Sequence, residues 1–170
     1  MKFTSLRRKL LAVTLPLLSG LAAAQLVDPD PQWLEGDVPP PPAFDLKRGI
    51  AIEMPAFLSL RFAVDPQTLS VGPDGVVRYV MMAASDSGVV NAMYEGIRCN
   101  TSEVRTYARY NSGSGWTTTS GASAEWRGLR DRMPSHHAAE FARQGACDGR
   151  AAQNSPQAII RALKSPPSQL

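Results

Sequence analysis

Over most of the chain the apolar positions alternate with polar ones, and only near the end does their spacing lengthen toward four. Leu58, Leu60 and Phe62 alternate with Ser59 and Arg61, the pattern of a short strand with one buried face. Asp65-Pro66 interrupts it and Leu69-Ser70-Val71 resumes. Gly72-Pro73-Asp74-Gly75 then places proline at a turn corner and glycine where φ can be positive. Val76 to Ala84, VVRYVMMAA, is branched or aromatic nearly throughout and predicts a strand buried on both faces, paired as a hairpin across that turn. After a second turn, Ser85 to Gly88, VVNAMYEGIRC (89–99) and EVRTYARY (103–110) predict two more strands joined at Asn100-Thr101-Ser102. A further short strand starts at Trp116, and Ala124 to Arg127 follows a turn at Ser120-Gly121. Strands at this spacing predict an antiparallel meander of about five.

The period changes after Met133-Pro134. Ser135 is placed to cap a helix through HHAAEFARQG, with Ala138, Phe141 and Ala142 on one face and Gly145 as its stop. Ser155-Pro156 opens a second helix, carried by Ala158, Ile159, Ala162 and Leu163 and ending before Pro166-Pro167. The predicted fold class is α+β: an antiparallel sheet with two C-terminal helices on one face.

The first residues follow another logic. Lys2, Arg7, Arg8 and Lys9 precede an apolar run from Leu10 to Leu21, and Ala22-Ala23-Ala24-Gln25 follows. Basic, apolar and small-residue regions in that order predict a signal peptide over 1–24, cleaved after Ala24, and hence a periplasmic protein. The apolar run is shorter than the roughly 20 residues of a membrane span, and no later segment is apolar enough, so no transmembrane helix remains after cleavage. Residues 25–45 predict a Pro-rich extended lead-in: VDPDPQWLEGDVPPPPAF (27–44) has six prolines and four acids, with Trp33-Leu34 and Phe44 available to dock. Residues 46–165 form one domain, and 166–170 a flexible tail.

Charge changes meaning with that cleavage. The whole chain has 18 Lys and Arg against 15 Asp and Glu, a net +3, which by itself hints at an anionic partner. Four of those 18 lie in the signal; the remainder is 14 basic against 15 acidic groups, a net charge of −1, and nucleic acid is not an expected partner. In an exported chain, Cys99 and Cys147 predict one disulfide. Closing a loop of that size contributes about 4 kcal/mol on the chain-entropy model.

If Cys99 points toward the helices, a period of two puts Met93, Glu95 and Ile97 on the same side, and Tyr94, Gly96 and Arg98 on the other. A short turn at 100–102 sets Arg98 opposite Glu103, Tyr94 opposite Tyr107, and Arg105 over Gly96. The outer face then presents Tyr94, Arg98, Glu103, Arg105 and Tyr107, a candidate binding surface for an anionic or aromatic ligand. Glu95 points inward, where a carboxylate needs a partner; an arginine is expected, and a catalytic acid is the alternative. His136 and Glu140 have the i,i+4 spacing of two metal ligands, but no third is evident and H-H-x-x-E matches neither zincin pattern. Both His136 and His137 are therefore expected in solvent or at the helix start, with no metal. No nucleophile elbow, Walker loop or dinucleotide fingerprint occurs, so no catalytic residue and no cofactor is assigned.

VVRYVMMAAS, NAMYEGIRC, the Glu-x-Arg-x-Tyr strand and EWR, with IEMP and SLRFAVDP before them and HHAAEFARQGAC after, resemble the cryptic neisserial protein I-like family over roughly Trp33 to Leu163. The resemblance implies a small bacterial envelope protein, periplasmic or lipid-anchored, and supplies no catalytic residues; this chain lacks the lipoprotein cysteine, which favours a soluble form. The resulting expectation is a monomeric, non-enzymatic periplasmic binding or envelope-accessory module, its partner an envelope protein or small ligand. The alternatives are a hydrolase using Glu95 or the His136/His137/Glu140 group, and an assembly factor acting through the Pro-rich segment.

Overall fold

The computed structural model describes residues 33–131 and 136–165. The expected signal segment, the start of the lead-in, Ser135 as a cap and the C-terminal tail lie outside these residues.

Among the described residues, eight strands form one antiparallel sheet: β1 (Ile50–Ile52), β2 (Arg61–Val64), β3 (Ser70–Val71), β4 (Val76–Ala84), β5 (Val90–Arg98), β6 (Glu103–Asn111), β7 (Gly115–Thr118) and β8 (Arg127–Gly128). The order across the sheet is β1-β2-β4-β5-β6-β7, with β3 also pairing β4 and β8 also pairing β6. Three strands of nine residues, β4, β5 and β6, form its centre. The meander is therefore joined by short strands that period-two reading passes over, β1 above all: three residues of IAI are too few to show alternation.

Helix α1 (His137–Phe141) is short and continues as a π-helical turn over Ala142–Ala146. Gly145 lies inside that turn rather than stopping it. A Cβ there would meet the Leu163 side chain and the Ile159 carbonyl, so the missing side chain is what lets α2 (Pro156–Lys164) pack close. Ser155 caps α2 by accepting from the Ala158 amide at 3.2 Å. Between the helices, β9 (Cys147–Asp148) and β10 (Ala151–Ala152) form a two-stranded hairpin. A Cys99–Cys147 disulfide joins the end of β5 to it, with the Cα atoms 5.7 Å apart.

Alternation sorts the sheet into two packed faces. Phe62, Val64, Val77, Tyr79, Met81, Ile97 and Val104 face the helices and pack with Phe141, Ala146 and Ile159. Val80, Met82, Ala92, Tyr94, Tyr107 and Ala108 form a second cluster on the other face, closed by Phe44, Tyr110 and Trp116. That is why β4 is buried along nearly its whole length, as its composition predicts. The lead-in covers the second face, with Trp33 and Phe44 docked and Leu34 left 85% exposed. No described helix is long and apolar enough to cross a membrane.

Candidate functional site

Two groups of polar side chains lie on opposite sides of the β5–β6 pair. On the lead-in side, the register brings Arg98 opposite Glu103 and Gly96 opposite Arg105, as the turn length predicts. Tyr94 does not face Tyr107 as expected; it pairs with Ala108, because a bulge at Tyr94/Glu95 leaves Tyr107 as the extra residue of β6. The bulge swings the Tyr107 hydroxyl over Gly96, where a Cβ would collide with it. The two tyrosine rings still touch, with centroids 5.2 Å apart.

Onto this face comes Glu35. Its carboxylate accepts from Arg105 at 2.6 Å, from the Tyr107 hydroxyl at 2.5 Å and from Arg78 at 3.3 Å. Arg78, opposite Gly96 on β4, is only 4% exposed and also pairs with Asp74 at 2.6 Å. Burial alone would lower the Arg78 pKa, but the Asp74 hydrogen bond, the nearby Tyr107 oxygen and the Asp74 and Glu35 charges more than reverse it, so the guanidinium stays charged. Burial, then the bond to Glu35, pushes the Tyr107 phenol well above its usual range, so it remains a donor. Trp33 lies over Arg98 at 3.5 Å, with Trp126 meeting its edge, while Arg98 pairs with Glu103 at 3.3 Å. Of the five predicted face residues, Tyr94 is fully packed and the others are engaged with the lead-in or with one another. The candidate surface is a filled seat for a carboxylate.

On the helix side, Glu95 is 2% exposed. Its partner is not an arginine: His137 Nε2 lies 2.9 Å from Oε2, the Tyr79 hydroxyl donates to the same oxygen at 2.9 Å, and Thr106 donates to Oε1 at 3.1 Å. Desolvation pushes the Glu95 pKa up, and the charge and hydrogen bond of His137, followed by Tyr79 and Thr106, bring it below the usual carboxylate range. His137 is accordingly not in solvent; it is 5% exposed and stacks on Phe62 at 5.1 Å. Histidine at the first position of α1 points into the sheet, and the buried acid holds it there. His136 is exposed. Glu140 turns away to Arg143, at 2.7 Å, and Gln144. Among the described residues no group of three or more His, Cys, Asp or Glu is arranged to hold a metal.

A cleft of about 380 Å³ opens beside this pair, lined by Glu95, Thr106, Arg109, Arg127, His136 and His137 together with apolar side chains from β5, β6 and α1. Glu95 and the two histidines thus converge on one cleft, without Glu140. Sequence reading missed Arg78, Glu35, Arg109 and Arg127. An arginine inside the otherwise apolar β4 signals a required partner; the bulge that turns Arg109 to the helix side leaves no such mark.

One antiparallel sheet, enclosed between a docked N-terminal segment and a helical layer and stapled by a disulfide, defines the molecule as a small disulfide-bonded α+β protein. The chain belongs to the CNP1-like family, whose model matches residues 28–164. No curated protein and no solved structure matches it.

Proposed function

We propose that the protein is exported to the periplasm and acts there as a non-enzymatic binding module that recognises acidic segments of envelope proteins on the face of Tyr94, Arg98, Glu103, Arg105 and Tyr107. The observation that carries this reading is the seating of Glu35 by Arg78, Arg105 and Tyr107. A carboxylate on a short, strandless, proline-rich segment is the ligand the face already holds in cis, so an acidic partner segment competes for the same donors. The Pro-rich segment and the arginine face are then two halves of one device rather than rival sites.

The test uses a labelled peptide of residues 33–44. A full-length Glu35→Gln protein, its seat weakened, should bind the peptide more tightly than wild type does, and a peptide with Gln at that glutamate should bind less. Arg98→Ala with Arg105→Ala should abolish binding. Equal binding by all these proteins would overturn the assignment; crosslinking in intact envelope then identifies the physiological partner.

A second reading, a hydrolase, is favoured by one observation: Glu95, His136 and His137 share a cleft with two arginines. It requires that wild type hydrolyse chromogenic esters or phosphates and that His137→Asn lose this activity while remaining folded.

A further inference from the structure

The cleft between β5, β6, β8 and the start of α1 has an unbalanced charge. Arg109 stands opposite Met93, and Arg127 opposite Val104, which places both on the helix side of the sheet. The exposed His136 imidazole also lies on the rim. Among the described residues lining the cleft the one acid is Glu95, and both its oxygens are already engaged by Thr106, Tyr79 and His137.

Among the described residues the other strand arginines each pair with an acid: Arg61 with Asp86, Arg78 with Asp74 and Glu35, Arg98 with Glu103, Arg105 with Glu35. Arg109 and Arg127 make no ion pair among the described residues; the Arg127 Nε is buried without a hydrogen-bond partner, as are those of Arg78, Arg98 and Arg105, so what sets Arg127 apart is the missing acid. A guanidinium on a cleft wall with no acid partner leaves N–H donors open to an anionic ligand. The rest of the wall is apolar: Met93, Val104, Leu129, Ala138 and Ala139. At about 380 Å³ the cleft lies within the size range of small-molecule sites.

We infer that this cleft is a binding site for a small organic acid, whose carboxylate is held by Arg127 and Arg109 and whose aliphatic body lies against Met93, Val104 and Leu129. Arg127, coming from β8, supplies the planar donor fork that suits a carboxylate, and the His136 ring lines the mouth. The Glu95–His137 pair is a positioning element: it fixes the start of α1 as one wall. This site lies on the other side of the sheet from the Glu35 seat and does not depend on it.

Calorimetric titration of the full chain with hexanoate, hexanamide and inorganic phosphate tests the inference. Hexanoate should bind saturably, with hexanamide and phosphate at least about tenfold weaker, since the first lacks the charge and the second the apolar body. Arg127→Gln and, separately, the exposed Arg109→Gln should each weaken hexanoate about tenfold with an unchanged unfolding midpoint, while Arg61→Gln, outside the cleft, leaves it unaltered. Absence of hexanoate binding at millimolar concentration, equal affinity for hexanamide, tighter binding of phosphate, or indifference to both cleft arginine changes would overturn it. The Glu35-seat variants leave hexanoate binding intact, which separates this site's failure from that of the proposed peptide-binding face.

Discussion

The Glu95 carboxylate meets the His137 imidazole at 2.9 Å beneath α1, and the two residues, 42 positions apart, are among the few polar side chains buried on the helix side of the sheet. Their contact fixes the start of a five-residue helix that is too short to hold itself. Removing one partner leaves a buried group unpaired. His137→Ala should therefore destabilise the fold by about 3–5 kcal/mol, against less than about 1 kcal/mol for Arg143→Ala at the exposed Glu140–Arg143 pair. Chemical denaturation of the two variants measures the difference.

Acid should unfold the protein through its paired carboxylates. The folded-state pKa values of Asp65, Asp74 and Glu95 are all below the unfolded values of 3.8 for aspartate and 4.5 for glutamate. The unfolded chain then binds more protons, so the stabilisation is complete above those unfolded values and drains away as pH falls through the lowered ones. Thermal midpoints measured from pH 6 to pH 2 should stay level and then fall below about pH 4. Asp65→Asn, which loses the Arg48 pair at 2.6 Å, should start lower and fall less steeply.

Gly96 is where β5 makes room for the bulged Tyr107. Gly96→Ala should cost about 1–3 kcal/mol, as overpacking does, and should also shift Trp33 fluorescence, because the displaced phenol no longer holds Glu35. A stability loss without any change at Trp33 would separate the bulge from the seat.

The Cys99–Cys147 bond should appear as a crosslinked peptide in mass spectrometry of the unreduced protein. Reduction should lower the unfolding free energy by about 4 kcal/mol on the chain-entropy model. Retention of full stability after verified reduction would mean that the packing of β9 against the π turn carries the join unaided.

Much of this architecture is legible in the residues themselves. Alternation places Met93, Glu95 and Ile97 under the helices, the turn at 100–102 sets Arg98 against Glu103, and Ser155-Pro156 marks the start of α2. The misses share a physical cause. A single extra residue at Tyr107 reverses which side of the sheet Arg109 occupies, and no composition signal accompanies it. The partner of Glu95 is set by where α1 lands, a tertiary outcome that chose His137 over any arginine. Likewise the arginine and tyrosine face reads as solvent-exposed until Glu35, 70 positions before Arg105, is found lying on it.

The contrast in strand length has one more implication. Nine-residue strands occupy the middle of the sheet, whereas its outermost members, Ile50–Ile52 and Gly115–Thr118, have three and four residues. An edge that short presents too few open backbone groups to template the addition of another chain's strand. Self-association by sheet extension is thereby discouraged in a protein whose core segment, VVRYVMMAA, is otherwise well suited to stack on copies of itself. What the sheet leaves open to its surroundings is accordingly side chains rather than a row of unpaired backbone groups.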